Sequence, residues 1–557
     1  MCGILGLIGP AWRESAPAAL NTIASRGPDA LETLDLGEAW LGHARLAVID
    51  LEGGRQPMVS PDRRYTILFN GEIFNFQALR AQLEQARYAF TTQSDTEVLL
   101  HGYAAWGAAL PERLDGMFAF AIWDARERTL FAARDRIGVK PFFYASTGGT
   151  FAFASTLAPF FALQGFPRRM DMEALRDYLA FQTVLAPRSL LADVRQLPPA
   201  SSLRLDAATR QVTLRRYWDI PSPGTAPAEA EERVALVDAA LRESVRRQLV
   251  ADVPLGAFLS GGIDSSLMVR YMAQAGGRPL RTFNVRFREE GFDETPHAQA
   301  VGQFFGAEHT VIDAPAMDGE LLVAAINELD QPLADPAYLA TKMLSRLTRT
   351  QVTVAVSGDG GDELFAGYPR FREVEAGFPD SSLRRMTRVL VRRGLLPGAL
   401  LRRGLAGREM LLYRRVELGP FDPSRKGLGR FLSPEALAAC HPEDTMKNWI
   451  ELASRWGQPI QTAALMRADL WTYLSEDCLV KTDRASMAHS LEVRVPFLGN
   501  PVLDLVLDWP AEVHFDSAGG KALLRAIAQR VLPETAWNRP KHGFSVPVRP
   551  FFNGAWR

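Results

Sequence analysis

The segment Pro254-Leu255-Gly256-Ala257-Phe258-Leu259-Ser260-Gly261-Gly262-Ile263-Asp264-Ser265-Ser266 decides the fold of the second half of the chain. It joins a predicted buried strand, 254–259, to a predicted helix, 264–275, through a turn of serines and glycines. Glycines let backbone N–H groups approach an anion, and a helix N-terminus presents unpaired donors, so this turn is typical of a phosphate-binding loop. It lacks the Gly-Lys-Ser/Thr ending of the Walker loop.

A second loop of the same kind, Ser357-Gly358-Asp359-Gly360-Gly361-Asp362-Glu363, follows a predicted buried strand at 352–356. Loops that follow neighbouring strands of a parallel sheet emerge at one edge, so we expect the two loops to face each other. Asp264 and Asp362 could then hold Mg²⁺ against a triphosphate, because this ion prefers carboxylates, waters and phosphates. The alternative is two unrelated turns with acidic caps.

The two halves of the chain differ in periodicity. Residues 1–205 combine short apolar runs, turn signals and two helical segments, which predicts an α+β domain with stacked sheets. A stretch rich in proline at 221–227 places a linker at 206–230. In 231–557 strands and helices alternate, which predicts a doubly wound parallel sheet, and 370–530 is mostly helical. The predicted strands are 2–8, 65–69, 117–123, 129–132, 151–154, 254–259, 282–287 and 352–356, and the predicted helices are 76–83, 95–103, 231–250 and 264–275.

Composition excludes several classes of protein. The 557 residues are enough for two or three domains, and 63 basic against 64 acidic residues create no overall field towards nucleic acid or an anionic membrane. The three cysteines are too few and too scattered for a disulfide framework or a zinc cluster, and no apolar run approaches the roughly 18 residues that span a bilayer. We expect a cytoplasmic protein that binds neither nucleic acid nor a membrane.

Cys2 is the clearest sign of catalysis in the first half. Removal of Met1 would leave one residue with a thiol and a free α-amine, whose pKa of roughly 8 lets it take the thiol proton near neutral pH. The alternative is a small apolar residue that opens a buried strand. A nucleophile of this kind also needs oxyanion donors, a cation and an acid for the substrate. Asn70-Gly71-Glu72, Arg45 and Asp95 are the residue types that match.

The second half resembles the synthetase domain of glutamine-dependent asparagine synthetases, an ATP-pyrophosphatase-like α/β fold that adenylates a carboxylate. Besides the two loops, the similar motifs are Asp330-Gln331-Pro332, Lys481-Thr482-Asp483-Arg484-Ala485-Ser486-Met487, Leu491-Glu492-Val493-Arg494-Val495-Pro496-Phe497 and Gly520-Lys521. The resemblance implies a pyrophosphate site, a nucleoside site and two residues near the reacting groups. The pyrophosphate site would consist of Ser260, Gly261, Gly262, Asp264, Ser265 and Ser266. The nucleoside site would consist of Val285, Ser357 and Gly358, and Leu259 would also bind ATP. Lys521 would bind the phosphates, and Asp359 would lie near the acyl-adenylate. Lys521 is one of only seven lysines.

The first half resembles a class II glutaminase, which implies an αββα sandwich of the N-terminal-nucleophile (Ntn) hydrolase type. The similar motifs are Cys2-Gly3-Ile4, Arg26-Gly27-Pro28-Asp29, Gly42-His43-Ala44-Arg45-Leu46, Asn70-Gly71-Glu72-Ile73, Ser94-Asp95-Thr96-Glu97 and Asp115-Gly116-Met117-Phe118. By this resemblance the Asn70 amide and the Gly71 N–H form the oxyanion hole. Arg45 would bind the glutamine carboxylate, and Asp95, with Glu72, would bind its ammonium group.

The predicted protein is a carbon–nitrogen ligase that hydrolyses glutamine at Cys2 and passes ammonia through an interior passage to an acyl-adenylate made from Mg-ATP. The family resemblance makes aspartate the default acceptor and suggests a homodimer. Two alternatives stay open: the same chemistry on a diaminopimelate side chain or a natural-product acid, and a non-catalytic glutamine or ATP sensor. A cyclising relative of the β-lactam or lasso-peptide type is disfavoured because such relatives generally lack the N-terminal cysteine.

A few positions depart from the usual family pattern without removing a catalytic group. We expect several of them to line the acceptor pocket or the passage. They are Ser25, Thr156, Arg286, Gln331 and Gly499.

Overall fold

The computed structural model describes residues 1–277, 279–287, 292–314, 319–375, 428–441, 447–456 and 461–539. The mostly helical region predicted at 370–530 therefore lies partly outside the described residues.

The first half contains two antiparallel sheets. Its strands are β1 (Gly3–Ile8), β2 (Ala30–Asp35), β3 (Ala39–Arg45), β4 (Met58–Val59), β5 (Tyr65–Ile73), β6 (Gly116–Asp124), β7 (Thr129–Arg134), β8 (Phe143–Thr147), β9 (Thr150–Ala154), β10 (Arg195–Gln196), β11 (Ser201–Asp206) and β12 (Val212–Arg216). The first sheet has the order β10-β8-β9-β1-β3-β2, and the second has the order β12-β11-β7-β6-β5-β4. The helices of the first half are α1 (Ala16–Asn21), α2 (Phe76–Gln85), α3 (Asp95–Trp106), α4 (Leu110–Arg113), α5 (Ala158–Ala162) and α6 (Met172–Phe181).

The two sheets pack face to face, and helices cover their outer faces. Ile4 and Leu41 of the first sheet share an apolar cluster with Leu68 and Ala121 of the second. Separate clusters join the outer face of the first sheet to α1 and α5, and that of the second to α2 and α3. Because β1 is covered on both faces, all six of its residues are buried, whereas burial alternates along the edge strand β2. The predicted stacked sheets are therefore present.

Several strand boundaries differ from the prediction, because pairing partners rather than the local apolar run set where a strand ends. Strand β5 continues four residues past the predicted end to Ile73, since it pairs with β6 along its whole length. Strand β12 falls inside the predicted linker, 206–230, and pairs with β11, so the sheet continues past residue 205. Only 217–229 connects the halves without helix or strand.

The second half is built on a parallel sheet with the order β15-β14-β13-β16-β17. Its strands are β13 (Leu255–Phe258), β14 (Arg281–Arg286), β15 (Glu308–Asp313), β16 (Val354–Val356) and β17 (Glu492–Arg494). Its described helices are α7 (Ala230–Gln248), α8 (Ile263–Ala275), α9 (Thr295–Phe304), α10 (Gly319–Asn327), α11 (Ala337–Thr348), α12 (Gly361–Leu364), α13 (Pro369–Glu375), α14 (Pro434–Ala439), α15 (Lys447–Ser454), α16 (Thr462–Asp469), a π-helix (Leu470–Cys478), α17 (Leu479–Met487), α18 (Asn500–Val506), α19 (Ala522–Val531) and α20 (Glu534–Trp537).

This sheet confirms the predicted parallel architecture. All of its strand pairs are parallel, and β13 lies between β14 and β16. Helices α7 and α8 pack against it through Val237, Leu241 and Leu267, which belong to one buried apolar cluster. None of the helices in the described ranges has the length and apolar character that crossing a bilayer requires.

The two halves share a core across their boundary. Leu46 and Met117 of the first half belong to the same buried cluster as Val354 and Val495 of the second. Ion pairs also cross the boundary, among them Arg247 Nη1 to Asp115 Oδ2 at 2.9 Å. The second half therefore packs directly against the end of the sandwich that carries Cys2.

Candidate active sites

Cys2 and Asn70 meet at the end of the sandwich. Cys2 precedes β1, and its backbone N–H donates to Asn70 Oδ1 on β5 at 3.0 Å. Asn70 is fully buried, and within the described residues nothing accepts a hydrogen bond from its Nδ2. A buried amide N–H of this kind is available to an oxyanion beside the thiol.

The Cys2 thiol is buried. Its Sγ lies 3.9 Å from the Leu46 carbonyl oxygen, and the residue is 7% exposed. Burial raises the pKa of this thiol, and the neighbouring α-ammonium group acts in the opposite direction. The thiol therefore needs a nearby base to become a nucleophile.

Gly71 has a backbone that only glycine can adopt here. Its φ is +153°, and a Cβ at this position would lie 2.1 Å from the Met117 carbonyl oxygen. The close packing of β5 on β6 thus fixes the peptide next to Asn70.

Arg45 is held rigidly at the end of β3. Its Nη1 donates to the Leu51 carbonyl and its Nη2 to the Asp50 carbonyl, both at 2.7 Å. A guanidinium has five N–H donors, so the fixed group keeps further donors for a carboxylate.

Glu72 and Asp95 form a buried acidic pair near Cys2. Asp95 Oδ2 accepts from the Ile73 N–H at 3.0 Å. Burial raises the pKa of Asp95 to about 6, and the Glu492 carboxylate adds to this rise. Burial also raises the pKa of Glu72 well above its usual range, with contributions from Glu492 and Asp95. The pair can bind a cation such as an ammonium group, which would favour the ionised carboxylates.

The second half supplies charges to this site that the sequence did not assign. Glu492 Oε2 lies 2.9 Å from the α-ammonium nitrogen of Met1, and Arg494 Nη2 lies 3.5 Å from Glu72 Oε2. Both residues stand on β17, and Glu492 Oε1 accepts from Arg494 Nε at 2.7 Å. The quoted motif that contains them was the available signal, but nothing local indicated that it faces the first half.

The two glycine-rich loops face each other, as predicted. They follow the neighbouring strands β13 and β16, and a Cβ built on Gly358 would lie 3.1 Å from the Asp264 Cβ. Ser260 Oγ and Ser265 Oγ lie 3.0 Å apart, and both residues line the cavity beside the first loop. The loops thus form one wall of a cavity of about 870 Å³.

Lys521 joins the two loops electrostatically. Its Nζ lies 2.6 Å from Asp362 Oδ1 and also binds Asp264 Oδ2. Burial acts to lower the pKa of Lys521, but the two carboxylates outweigh it and raise the pKa. A Cβ on Gly367 would lie 1.9 Å from Asp362 Oδ1 and 2.4 Å from Lys521 Cε, so glycine is required for this approach.

Most of the predicted nucleotide residues line the cavity, and two do not. Gly261 and Ser266 are absent from the lining, and Ser266 is fully buried. Gly261 has a φ of +74° and packs against the backbone of His297, so its role in the loop is conformational. The predicted residues that line the cavity are Leu259, Ser260, Gly262, Asp264, Ser265, Val285, Ser357, Gly358, Asp359, Asp362 and Lys521.

Lys481 and Thr482 of α17 also line the cavity, although no role was predicted for them. Thr482 Oγ1 and Ser357 Oγ donate to Asp359 Oδ2 at 3.0 and 2.9 Å. Lys481 Nζ lies 3.0 Å from Asp335 Oδ2. The scarcity of lysine was a signal that could have singled out Lys481.

The same helix reaches the first half of the chain. Asp483 accepts from Arg26 Nη1 and Nη2 at 2.8 and 3.0 Å, and Arg26 Nε donates to the Cys2 carbonyl oxygen at 3.1 Å. One turn of α17 therefore contacts both candidate sites.

The residues that depart from the family pattern are not among those that line this cavity. Gln331 Oε1 instead accepts from the Leu190 N–H of the first half at 3.1 Å. Arg286 pairs with Asp313 at the exposed end of β14. A Cβ on Gly499 would lie 2.2 Å from Ser244 Oγ, so this position packs under α7.

Comparison with known proteins identifies one domain in each half of the chain. A family model described as a glutamine amidotransferase domain matches residues 1–218, and one described as asparagine synthase matches residues 236–555. Asparagine synthetase [glutamine-hydrolyzing] 1 of Bacillus subtilis is 34% identical over 569 residues, covering 99% of this chain and 87% of that protein. A putative asparagine synthetase [glutamine-hydrolyzing] of Mycobacterium tuberculosis is 35% identical over 585 residues, covering 99% and 88%. A solved glutamine PRPP amidotransferase from B. subtilis aligns over 57% of this chain and 91% of that chain with 14% identity and a TM-score of 0.31.

Proposed function

Because the chain belongs to the asparagine synthase family and carries a glutamine amidotransferase domain, we propose that it makes asparagine from aspartate, with glutamine as nitrogen donor and ATP as activator. The observation that carries the proposal is helix α17. Its Thr482 lines the nucleotide cavity while its Asp483 holds the arginine that binds the Cys2 carbonyl. We assign the sandwich to the Ntn hydrolase type and the parallel-sheet half to the ATP-pyrophosphatase type.

The glutaminase reaction begins once Cys2 is the first residue of the chain. Its α-amine takes the thiol proton, and Sγ bonds to the amide carbon of glutamine. The Asn70 Nδ2 and the Gly71 N–H stabilise the oxyanion, and the α-ammonium group gives the proton to the amide nitrogen as the C–N bond breaks and ammonia leaves. Water then hydrolyses the thioester to glutamate. The available Asn70 amide N–H supports this role.

Glutamine is oriented by the charged residues around Cys2. Arg45, fixed by two backbone carbonyls, binds the α-carboxylate through its remaining N–H donors. Asp95 and Glu72 bind the α-ammonium group, which offsets the cost of ionising two buried carboxyls.

The synthetase reaction takes place in the cavity between the two loops. A carboxylate oxygen of the acceptor bonds to the α-phosphorus of ATP, and pyrophosphate leaves. Ser260, Gly262 and Ser265 hold the pyrophosphate oxygens, and Lys521 offsets their charge. Ammonia then attacks the acyl carbon, the amide forms, and AMP leaves.

Asp264 and Asp362 fit a shared magnesium ion. Lys521 already lies between them, which places both carboxylates within reach of one cation. No group of three or more acidic, histidine or cysteine side chains in the described ranges could hold a metal alone, so phosphate oxygens and waters would complete the ligand set. The ion would neutralise charge on the triphosphate as pyrophosphate leaves.

Aspartate is proposed as the acceptor because the family relatives are named for asparagine formation and the divergent positions lie outside the cavity. Lys481 lines the cavity together with Asp359 and offers a cation for a carboxylate of the acceptor. A diaminopimelate side chain or a natural-product acid is the alternative acceptor. We also propose a cytoplasmic homodimer that binds neither membrane nor nucleic acid.

The test separates the two reactions. Cys2→Ala should abolish glutamate formation from glutamine but leave ammonia-dependent AMP release with aspartate intact. A panel of carboxylates assayed for pyrophosphate release identifies the acceptor. Loss of ammonia-dependent synthesis in Cys2→Ala would contradict the division of labour, and glutamine binding without glutamate or pyrophosphate would favour the sensor alternative.

A further inference from the structure

Glu492 lies buried at the boundary between the two halves and binds a cation there. It is 0% exposed, and its Oε2 lies 2.9 Å from the α-ammonium nitrogen of Met1. Its Oε1 accepts from Arg494 Nε at 2.7 Å. Oε1 is thus bound by Arg494 of the same strand, and Oε2 binds the primary ammonium group of Met1, next to Cys2.

The Met1 side chain fills apolar space at the same boundary. Met1 is 2% exposed and belongs to one buried cluster with Leu46 and Met117 of the first half and Val495 of the second. Once Cys2 is the first residue, the volume of one whole residue is freed between the nucleophile and Glu492.

The charges around Glu492 favour a cation or an N–H donor. Glu72 lies 3.5 Å from Arg494, and both Glu72 and Asp95 are buried on the glutaminase side. Lys140, which is 1% exposed, is a further cation whose charge acts on Glu492. A buried carboxylate that loses one cationic partner is costly to leave unpaired, so a replacement donor would be bound strongly.

Glu492 also lies on the route towards the synthetase site. Strand β17 pairs with β16 in parallel, with Glu492 opposite Val354. Two residues further along, the Arg494 carbonyl accepts from the Ser357 N–H at 2.8 Å, and Ser357 lines the nucleotide cavity. The strand therefore connects the surroundings of Cys2 with the loop that faces the acyl-adenylate.

We propose that Glu492 binds the nitrogen released from glutamine, in the position that the α-ammonium group of Met1 takes in this structure. The inference rests on the proposed function, since it needs ammonia to leave at Cys2. Ammonia and ammonium share the chemistry that is recognised here: a small nitrogen centre that donates N–H to a carboxylate oxygen. Bound ammonia keeps its three protons and moves on as the nucleophile, whereas bound ammonium must first give one proton to the Glu492 carboxylate.

The first test locates the site directly. Thallium(I), a monovalent ion of similar size to ammonium, is soaked into crystals of protein whose first residue is Cys2. An anomalous peak should lie in contact with the Glu492 carboxylate, and ammonium chloride should displace it. Protein that retains Met1 is the matched control, because its own α-ammonium group takes this place and should exclude thallium. Absence of the peak in the Cys2-first protein would overturn the proposal.

The second test measures transfer between the sites. In Glu492→Gln, the amide formed per glutamate released should fall by about tenfold, the loss expected for one charge-assisted hydrogen bond. The ratio is compared with ammonia-dependent synthesis by the same variant, so a defect in the synthetase site is seen separately. Asp115→Asn is the control, because Asp115 is also a buried carboxylate that bonds across the boundary, to Arg247 and to the Asn500 N–H.

The outcomes distinguish this inference from the proposed function. If the unaltered enzyme lacks glutaminase or ammonia-dependent activity, the proposed function fails. If both activities are present but Glu492→Gln keeps the transfer ratio of the unaltered enzyme, only the role of Glu492 is wrong. An equal fall in Asp115→Asn would also contradict it, because any weakening of the boundary would then suffice. Should Glu492→Gln fail to fold, the thallium experiment still decides.

Discussion

Arg26 and Asp483 form a buried bidentate ion pair between the two halves, with N–O distances of 2.8 and 3.0 Å, while Arg26 Nε donates to the Cys2 carbonyl oxygen. Burial alone would raise the pKa of Asp483, but Arg26 lowers it to about 2. Asp483 of the second half thus fixes Arg26, and Arg26 in turn binds the backbone carbonyl of Cys2.

This relationship predicts that Asp483→Asn impairs glutamine hydrolysis more than ammonia-dependent synthesis. The substitution leaves the Arg26 cation buried without its partner, which costs about 3–5 kcal/mol and lets Cys2 move. Steady-state kinetics of both reactions measure the effect. Asp504→Asn breaks an exposed pair with Arg136 across the same boundary and should change neither rate, since exposed pairs contribute about 1 kcal/mol or less. Equal losses in the two reactions of Asp483→Asn would contradict the prediction.

Lys521→Ala should abolish synthesis and spare the glutaminase. It removes the cation that lies between Asp264 and Asp362, so charge on the leaving pyrophosphate is no longer offset. The rate of pyrophosphate release should fall by about 10²-fold or more. Lys342→Ala is the control, because Lys342 pairs with Glu328 and lies outside the cavity. A Lys521 variant with normal pyrophosphate release would exclude the proposed phosphate contact.

The efficiency of glutamine hydrolysis should decline as pH falls through about 6, the pKa of Asp95. The raised pKa means that the folded protein holds this proton more tightly than the unfolded chain. Asp95 therefore favours folding at low pH, and that contribution is lost as pH rises through 6. Glutamine binding has the opposite requirement, because only the ionised carboxylate attracts the α-ammonium group.

The measurement is kcat/KM for glutamine between about pH 5 and 8, a range that separates Asp95 from the α-amine of Cys2. Because Glu492 raises the pKa of Asp95, Glu492→Gln should move the acidic limb to lower pH. A limb that stays in place, or moves to higher pH, would show that another group controls the profile.

Asp330→Ala should loosen the boundary without touching either site. Asp330 Oδ2 accepts from the Leu157 and Ala158 N–H groups at the start of α5, at 2.5 and 3.1 Å, and Oδ1 pairs with Arg484. Loss of this cap-like contact should lower stability by about 1–2 kcal/mol. Thermal unfolding should show a lower Tm, whereas Asp313→Asn, which breaks an exposed pair with Arg286, should leave Tm unchanged. Equal Tm values for both variants would show that the contact of Asp330 with the start of α5 does not stabilise the protein.

The sequence by itself determined the parallel sheet and the two loops at its edge, because strand and helix periods alternate after the linker. The residues around Cys2 were found by their types and by family resemblance, since Cys2 and Asn70 are 68 positions apart and no local period relates them. The sequence did not determine that β12 belongs to the second sheet or that Ser266 is buried below its loop, because pairing and packing decide both.

Only the tertiary structure decided how the sites are joined. Arg26 and Asp483 are 457 positions apart, and Met1 and Glu492 are 491 apart, so no local period relates them. Their meeting depends on how the second half docks on the sandwich, where apolar burial brings the halves together and the buried charges must then find partners.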